Sequence, residues 1–206
     1  MKLYRSLVLI SCCLFGNVTL ADVSRDMLEE FLNSTSSMKA KFQQQLVDNK
    51  GILMQESAGI FILKRPGKFR WDYQLPYPQQ IVSNGNKIWI YDSELEQVSI
   101  RKYEQVLTGA PVILLDQRKK LDVDFNVSEK GLIRGQYWVV LIPKSADNEF
   151  KQIEVGMQRN VLRTMKLKDN FEQTTIIEFD NLELNPELDN KIFEFIVPKG
   201  TDVVGG

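Results

Sequence analysis

Residues 80–92 read Gln-Ile-Val-Ser-Asn-Gly-Asn-Lys-Ile-Trp-Ile-Tyr-Asp, and this stretch decides the fold class. Asn84-Gly85 is a strong signal for a tight β-hairpin, because both residue types tolerate the positive φ angles of the turn. Residues with high β-propensity lie on both sides of this dipeptide. The stretch therefore predicts two antiparallel strands, Gln80–Ser83 and Lys87–Tyr91.

The alternation of apolar and polar residues continues along most of the chain. Lys130-Gly131 and Arg159-Asn160 predict further turns, weaker than Asn84-Gly85. Strands joined by short turns favour an antiparallel meander, here of about 11 strands. The other predicted strands are Lys39–Val47, Ala58–Lys64, Lys68–Gln74, Glu96–Arg101, Asp122–Glu129, Leu132–Ile142, Lys151–Met157, Val161–Asp169, Gln173–Leu184 and Phe193–Val197.

Two segments depart from the strand pattern and predict helices. Val23 to Asn33 has the helical period of 3.6, with Met27, Leu28, Phe31 and Leu32 on one face. Tyr103 to Lys120, which contains Ile113 and Leu114, predicts one or two short helices inserted between strands. A single sheet cannot bury an apolar face alone, so we expect these helices to cover one face of the sheet.

The first 21 residues have the pattern of a cleavable export signal. Two basic residues precede an apolar run from Leu7 to Phe15, and small residues end at Ala21. The run is too short for a spanning helix, which needs about 20 apolar residues. An alternative is lipoprotein processing at Cys12, which would leave the chain lipidated. We expect cleavage before Asp22, with residues 22–206 forming a single domain.

Composition excludes several classes of chemistry. The chain has no histidine, and its two cysteines, Cys12 and Cys13, lie in the predicted signal. The mature chain would therefore have no disulfide, no catalytic triad and no thiolate metal site. Loss of Lys2 and Arg5 leaves 24 basic against 27 acidic residues, so the net charge changes from −1 to −3. That balance argues against a nucleic-acid partner, and we expect no cofactor and no metal.

Aromatic residues mark a candidate apolar site. Phe69, Trp71 and Tyr73 alternate with polar residues and share one face of their strand, and Trp89 and Tyr91 share a face in the hairpin. Two interpretations remain open: these residues, with Phe61, fill a packed core, or a curved sheet closed by short helices encloses a ligand cavity.

Polar candidates are few. Arg65, in Arg-Pro-Gly at 65–67, is either a surface cation or a donor to helix-terminal carbonyls that latches a lid. A glycosidase-like enzyme needs two carboxylates at a fixed separation. Nothing in the spacing selects such a pair from Asp92, Glu94, Glu96, Asp122 and Asp124.

Four segments in order resemble the LolA family of periplasmic lipoprotein carriers. The first, Lys-Arg-Pro-Gly-Lys-Phe-Arg-Trp-Asp-Tyr at 64–73, is similar to the family's most characteristic segment, and residues 80–92 with Glu-Gln-Val at 96–98 continue it. Ala-Pro-Val-Ile-Leu-Leu at 110–115 resembles the helical insertion. Phe-Glu-Phe-Ile-Val-Pro-Lys-Gly-Thr-Asp-Val at 193–203 resembles the C-terminal pattern. Residues 103–109 and those after Lys120 match poorly.

The resemblance implies an incomplete, open antiparallel β-barrel with helices as a lid over an apolar cavity. It implies a monomeric periplasmic carrier, not an enzyme. Such a carrier accepts acylated lipoproteins from the inner-membrane ABC transporter LolCDE and delivers them to the outer-membrane receptor LolB. The family's latch arginine corresponds to Arg65, and its partner leucine to Leu32. The family's Phe and Trp after Arg-Pro correspond to Phe69 and Trp71. Our hypothesis for the full cargo cavity comprises Phe61, Phe69, Trp71, Tyr73, Trp89, Tyr91, Ile113 and Leu114.

Two other functions compete with the carrier. A lipidated receptor like LolB, or a sensor domain on the same fold, would carry an acylated Cys12. A hydrolase would require two convergent carboxylates in a polar cleft.

Overall fold

A computed structural model describes residues 23–103, 121–146 and 148–205. The predicted signal and most of the predicted insertion, including Ile113 and Leu114, lie outside the described residues. Within these ranges the chain is mainly β, as the sequence predicts. The helices are α1, Val23–Ser34, and α2, Leu121–Asp124, with a 3₁₀ turn at Asn190–Phe193. None of them has the length and hydropathy of a membrane span.

The strands form one open sheet. Its order is β12-β6-β5-β4-β3-β2-β1-β11-β10-β9-β8-β7, so it is not closed into a barrel. All neighbours are antiparallel except β12, which runs parallel to β6. The strands are β1 Ser37–Val47, β2 Leu53–Lys64, β3 Lys68–Leu75, β4 Gln79–Asn84, β5 Lys87–Asp92, β6 Gln97–Lys102, β7 Phe125–Ile133, β8 Gln136–Pro143, β9 Phe150–Gln158, β10 Val161–Asp169, β11 Thr174–Leu184 and β12 Asp202–Gly205.

The predicted hairpin forms, but Gly85 and Asn86 are its loop residues, because β4 ends at Asn84 and β5 begins at Lys87. The Asn84 side-chain oxygen accepts from the backbone N–H groups of Asn86 and Lys87, each at 3.0 Å, and Gly85 has a φ of 93°. A side chain that bonds the backbone two residues on stabilises such a turn.

Three local predictions are wrong. The predicted strand Asp122–Glu129 starts too early, because residues 121–124 form the helix α2 and the strand begins at Phe125. The predicted turn at Lys130-Gly131 is a bulge inside β7, and the chain reverses instead at Arg134-Gly135, whose φ angles are 51° and 78°. Both Gly131 and Gly135 have positive φ, so glycine content alone did not separate a bulge from a turn. The predicted strand Phe193–Val197 is not a strand, and a pairing segment follows later, at β12.

The inner face of the sheet, defined here as the face packed against α1, carries the core. Helix α1 contacts β7, β8, β9 and β10 and buries Leu28, Phe31 and Leu32 against them. At its start the Arg25 side chain pairs with Asp122 at 2.5 Å, and the Arg25 backbone N–H donates to Glu129. The helix therefore covers the half of the sheet built from β7 to β10.

The chain after β11 crosses the opposite, outer face. We name residues 185–201 the C-terminal strap. Lys64 Nζ donates to the carbonyl of Leu188 at 2.7 Å, and Lys68 Nζ lies 3.2 Å from Asn190 Oδ1. The strap ends at Asp202, where β12 adds to the edge of β6. It thus spans the sheet from its middle to one edge.

Candidate functional site

Five aromatic side chains from three adjacent strands form a continuous apolar surface on the inner face. We name it the aromatic floor: Phe42, Phe61, Phe69, Trp71 and Tyr73. Register explains the grouping, because Trp71 lies opposite Phe61, and Phe42 and Tyr73 lie opposite Gly59 on either side. The first four are at most 4% exposed, and Tyr73 is half-buried.

Ring contacts hold the aromatic floor together. The Trp71 ring centroid lies 4.7 Å from that of Phe61 and 5.1 Å from that of Phe42. Phe42 and Tyr73 meet edge to face at 5.2 Å. Such tilted and edge-to-face pairs each contribute about 0.5–1.5 kcal/mol beyond the area that they bury.

Gly59 lets the Phe42 ring approach the sheet. A β-carbon there would lie 1.9 Å from the Asp72 carbonyl oxygen and 3.0 Å from the Phe42 ring. Any larger residue would displace the backbone of β3 or the ring, so the aromatic floor depends on this glycine.

The aromatic floor ends at a polar rim. The Tyr73 hydroxyl lies 3.2 Å from Gln44 Oε1, and burial raises the pKa of Tyr73 to about 12. Beyond it opens a cleft of about 540 Å³ lined by Gln44, Ser57, Tyr73, Gln79 and Asp92, among others. Exposed Leu75, Tyr77 and Leu95 flank this end of the sheet. The site therefore has an apolar interior and a solvent-exposed rim.

A second cleft, of about 480 Å³, lies mainly against the outer face. Its lining includes Gln43, Gln45, Glu56 and Glu178, whose side chains point away from the aromatic floor. The lining also includes Ala58, Leu75, Pro76 and Ile176, so this cleft combines apolar surface with carboxylates and amides.

A buried arginine joins the sheet to the end of α1. Arg65 follows β2 and is 7% exposed. Its Nη1 donates to the carbonyl of Leu32 and, at 2.7 Å, to that of Thr35. Carbonyls at a helix C-terminus lack intrahelical partners and carry the negative end of the helix dipole, so a cation is favourable there.

Sequence reasoning missed Asn185, which holds the same helix end from β11. Its Nδ2 donates to the carbonyl of Ser34 at 3.1 Å, and its Oδ1 accepts from the Ser36 backbone N–H at 2.7 Å. Asn185 has a φ of 55°, a conformation in which Asn is enriched. The signal was present, because Asn185-Pro186 is a turn dipeptide directly after a strand.

Trp89 and Tyr91 do not lie with the other predicted cavity residues. Trp89 pairs with Val82 and Tyr91 with Gln80, both on the outer face. Their rings lie 6.3 and 5.5 Å from Phe195 of the C-terminal strap. The face on which they lie depends on how β3 pairs with β4 across the loop at 76–78. The alternation within one hairpin shows only that Trp89 and Tyr91 share a face.

Two of the acidic candidates for hydrolysis, Asp92 and Asp122, make structural contacts. Asp92 Oδ1 accepts from the backbone N–H groups of Glu94 and Leu95 in the β5–β6 turn, and Asp122 pairs with Arg25. Within the described ranges, no three His, Cys, Asp or Glu side chains converge in a way that could hold a metal ion.

Comparisons with known proteins give one consistent result. The family model described as outer membrane lipoprotein carrier protein LolA matches residues 33–196. An outer-membrane lipoprotein carrier protein of Methylococcus capsulatus is 40% identical over 204 residues, which cover 98% of each chain. One of Dechloromonas aromatica is 41% identical over 180 residues, which cover 87% of this chain and 86% of the relative.

Solved structures share the fold at low sequence identity. An uncharacterized conserved protein of Thermus thermophilus superposes with a TM-score of 0.56 at 12% identity, covering 89% of this chain and 97% of that one. A LolA superfamily protein of Nitrosomonas europaea gives a TM-score of 0.51 at 11% identity, covering 85% and 97%.

Proposed function

This chain belongs to the LolA family of outer membrane lipoprotein carrier proteins, and from that premise we propose that it carries acylated lipoproteins through the periplasm. In this proposal the acyl chains lie on the aromatic floor of β1 to β3, beside the half of the inner face that α1 covers. The protein acts as a transport chaperone and catalyses no reaction.

The free energy that holds an acyl chain in a bilayer explains why transport needs a carrier. Burial of a CH₂ group in a bilayer is worth about 0.8 kcal/mol, so one 16-carbon chain is held by roughly 12 kcal/mol. A lipoprotein therefore does not cross an aqueous space unaided. The aromatic floor is apolar, but four of its five side chains are at most 4% exposed, so in this proposal acyl chains reach it only when the structures that cover it move away.

The contact of Arg65 with the end of α1 is the observation that carries the proposal. A carrier must also release its cargo, and closure of the cover over the empty site competes with binding. Hydrogen bonds from Arg65 to the Leu32 and Thr35 carbonyls join cover and sheet by a polar link that can break and reform. Arg65 and Leu32 thus form the proposed latch.

The proposed partners in lipoprotein transfer are those that the family resemblance implies. The proposed donor is the inner-membrane ABC transporter LolCDE, and the proposed acceptor is the outer-membrane receptor LolB. Residues 1–21 serve as the export signal, and the mature domain 22–206 acts as a monomer. A mature N-terminus of unmodified Asp22 in mass spectrometry would separate this carrier from a receptor lipidated at Cys12.

The proposed cargo site is smaller than the set predicted from the sequence. It keeps Phe61, Phe69, Trp71 and Tyr73, and the family resemblance adds Ile113 and Leu114, which lie outside the described residues. Trp89 and Tyr91 are assigned instead to the packing of the C-terminal strap, because their rings contact Phe195.

Binding of a defined acylated peptide tests the proposal. The purified mature protein is mixed with a triacylated lipopeptide, detergent is removed, and the mixture is separated by size. We expect the lipopeptide to elute with the protein, and the same peptide without acyl chains to elute alone. Equal retention of both peptides, or of neither, would reject the proposed function.

A further inference from the structure

One hydrogen-bond donor in the aromatic floor is unpaired. Trp71 is 4% exposed, and within the described part of the chain its indole Nε1–H meets no acceptor. By contrast, Trp138 Nε1 on the outer face donates to the carbonyl of Ile133 at 3.3 Å. A buried donor without a partner costs about 1–3 kcal/mol, so the unpaired indole N–H of Trp71 requires an explanation.

The Trp71 ring packs among other aromatic rings. The rings of Phe42 and Phe61 lie 5.1 and 4.7 Å from the Trp71 ring, and that of Tyr73 lies 6.3 Å away. Ring faces are weak acceptors, and they do not replace a carbonyl oxygen. Phenylalanine would also supply an apolar ring here, without a donor that needs a partner, so the need for an apolar ring does not by itself explain the indole.

We propose that the Trp71 indole N–H donates a hydrogen bond to an acyl carbonyl oxygen of the bound cargo. This inference rests on the proposed function and extends it from chain burial to recognition of the acyl linkage. The acyl chains of lipids and lipoproteins are attached through ester or amide carbonyls. These acceptors lose water when the chains enter an apolar site. The indole and the carbonyl then satisfy each other.

The consequence is a preference for acyl over alkyl chains. A chain linked through an ether has the same length and nearly the same apolar area, but it lacks the carbonyl. A neutral hydrogen bond in this setting corresponds to about three- to tenfold in affinity. The site would then distinguish acyl lipids from other amphiphiles of equal hydrophobicity.

A pair of matched lipids tests the inference on the full mature protein. The probes are dihexanoyl-glycerophosphocholine and its dihexyl ether analogue, each used below its micelle concentration to displace a bound anilinonaphthalene dye. We expect the ester to displace the dye at about three- to tenfold lower concentration than the ether. Trp71→Phe should remove this difference, while Trp138→Phe, the same substitution on the outer face, should keep it.

A spectroscopic readout keeps the test valid if Trp71→Phe folds poorly. The chain has three tryptophans, so a ¹⁵N-labelled sample gives a small number of indole N–H signals. The Trp71 signal should move downfield on addition of the ester and much less with the ether. Displacement by both lipids at equal concentrations would overturn the role of Trp71 and leave apolar binding intact. Displacement by neither would overturn the apolar site itself.

Discussion

Arg65 shows how one side chain can couple sheet and cover. Its guanidinium is buried and reaches two backbone carbonyls at the end of α1. Both bonds leave the same nitrogen, Nη1, but a lysine ammonium is more strongly hydrated than a guanidinium and costs more to bury at this site. The proposed role as a latch therefore depends on the weak hydration of the guanidinium as well as on its charge.

We predict that Arg65→Leu shifts the protein toward its open, loaded state. Hydrogen bonds from a charged donor are worth about 1.5–3 kcal/mol, which corresponds to roughly a 10- to 150-fold change in the closing equilibrium. The variant should retain lipoprotein after loading and transfer it more slowly to the receptor. The measurement is the fraction of lipoprotein transferred over time from the loaded carrier.

Two variants serve as controls for Arg65→Leu. Lys39→Leu removes one exposed cation from β1 and should transfer like the wild type, since its side chain lies away from α1. Arg65→Lys should fall between wild type and Arg65→Leu. If Arg65→Leu loads and unloads at wild-type rates, Arg65 is not a latch.

Residue-level prediction worked where a local rule applied. The hairpin at 80–92 and the aromatic alternation at 69–73 follow from single-residue preferences, and both are found in the structure. Asn185 was missed because its role needs a contact with Ser34 and Ser36, about 150 positions earlier in the chain. Such long-range contacts leave no periodic signal in the sequence.

The C-terminal strap is the element that the sequence predicted least well. Its apolar residues are typical of a strand, but the strap crosses the outer face and is held mainly by side chains of β2 and β3. Phe193 is fully buried, whereas Ile196, three residues later, is 87% exposed. The strand-like pattern therefore belongs to a segment that is held by single buried side chains such as Phe193.

We predict that Phe193→Ala strongly destabilises the fold. Truncation of a fully buried phenylalanine costs about 3–5 kcal/mol, because the cavity that is left does not refill. Ile196→Ala in the same element should change the free energy of unfolding by less than about 0.5 kcal/mol. Urea unfolding followed by circular dichroism measures both, and equal costs would show that the strap is not anchored at Phe193.

The sequence predicted the order of neighbouring strands better than the face of the sheet on which each side chain lies. The succession of hairpins follows from the turn residues, and it accounts for the meander from β1 to β6. The pairing of β1 with β11, which joins the two halves of the sheet, links residues far apart in sequence. The outer-face position of Trp89 and Tyr91 likewise depends on pairing between strands, because a shift of one residue exchanges the two faces.

At the scale of the whole molecule, an open sheet gives two faces with separate tasks. The inner face collects the aromatic floor and the core under α1, and the outer face is held by the C-terminal strap. A closed barrel would fix its interior, whereas an open sheet with a helical cover can change its volume by moving the cover alone. This division lets the proposed cargo site empty without unfolding the sheet.

Cross-linking in cells can show directly whether acyl chains bind to the inner face of the sheet. A benzoylphenylalanine photocross-linker replaces Tyr73 on the inner face or Tyr91 on the outer face, and adducts are identified by mass spectrometry. We expect lipoprotein adducts from position 73, far fewer from position 91, and loss of the adducts when the lipoprotein cannot be acylated. Adducts that form equally from both positions, or without acylation, would contradict binding on the inner face.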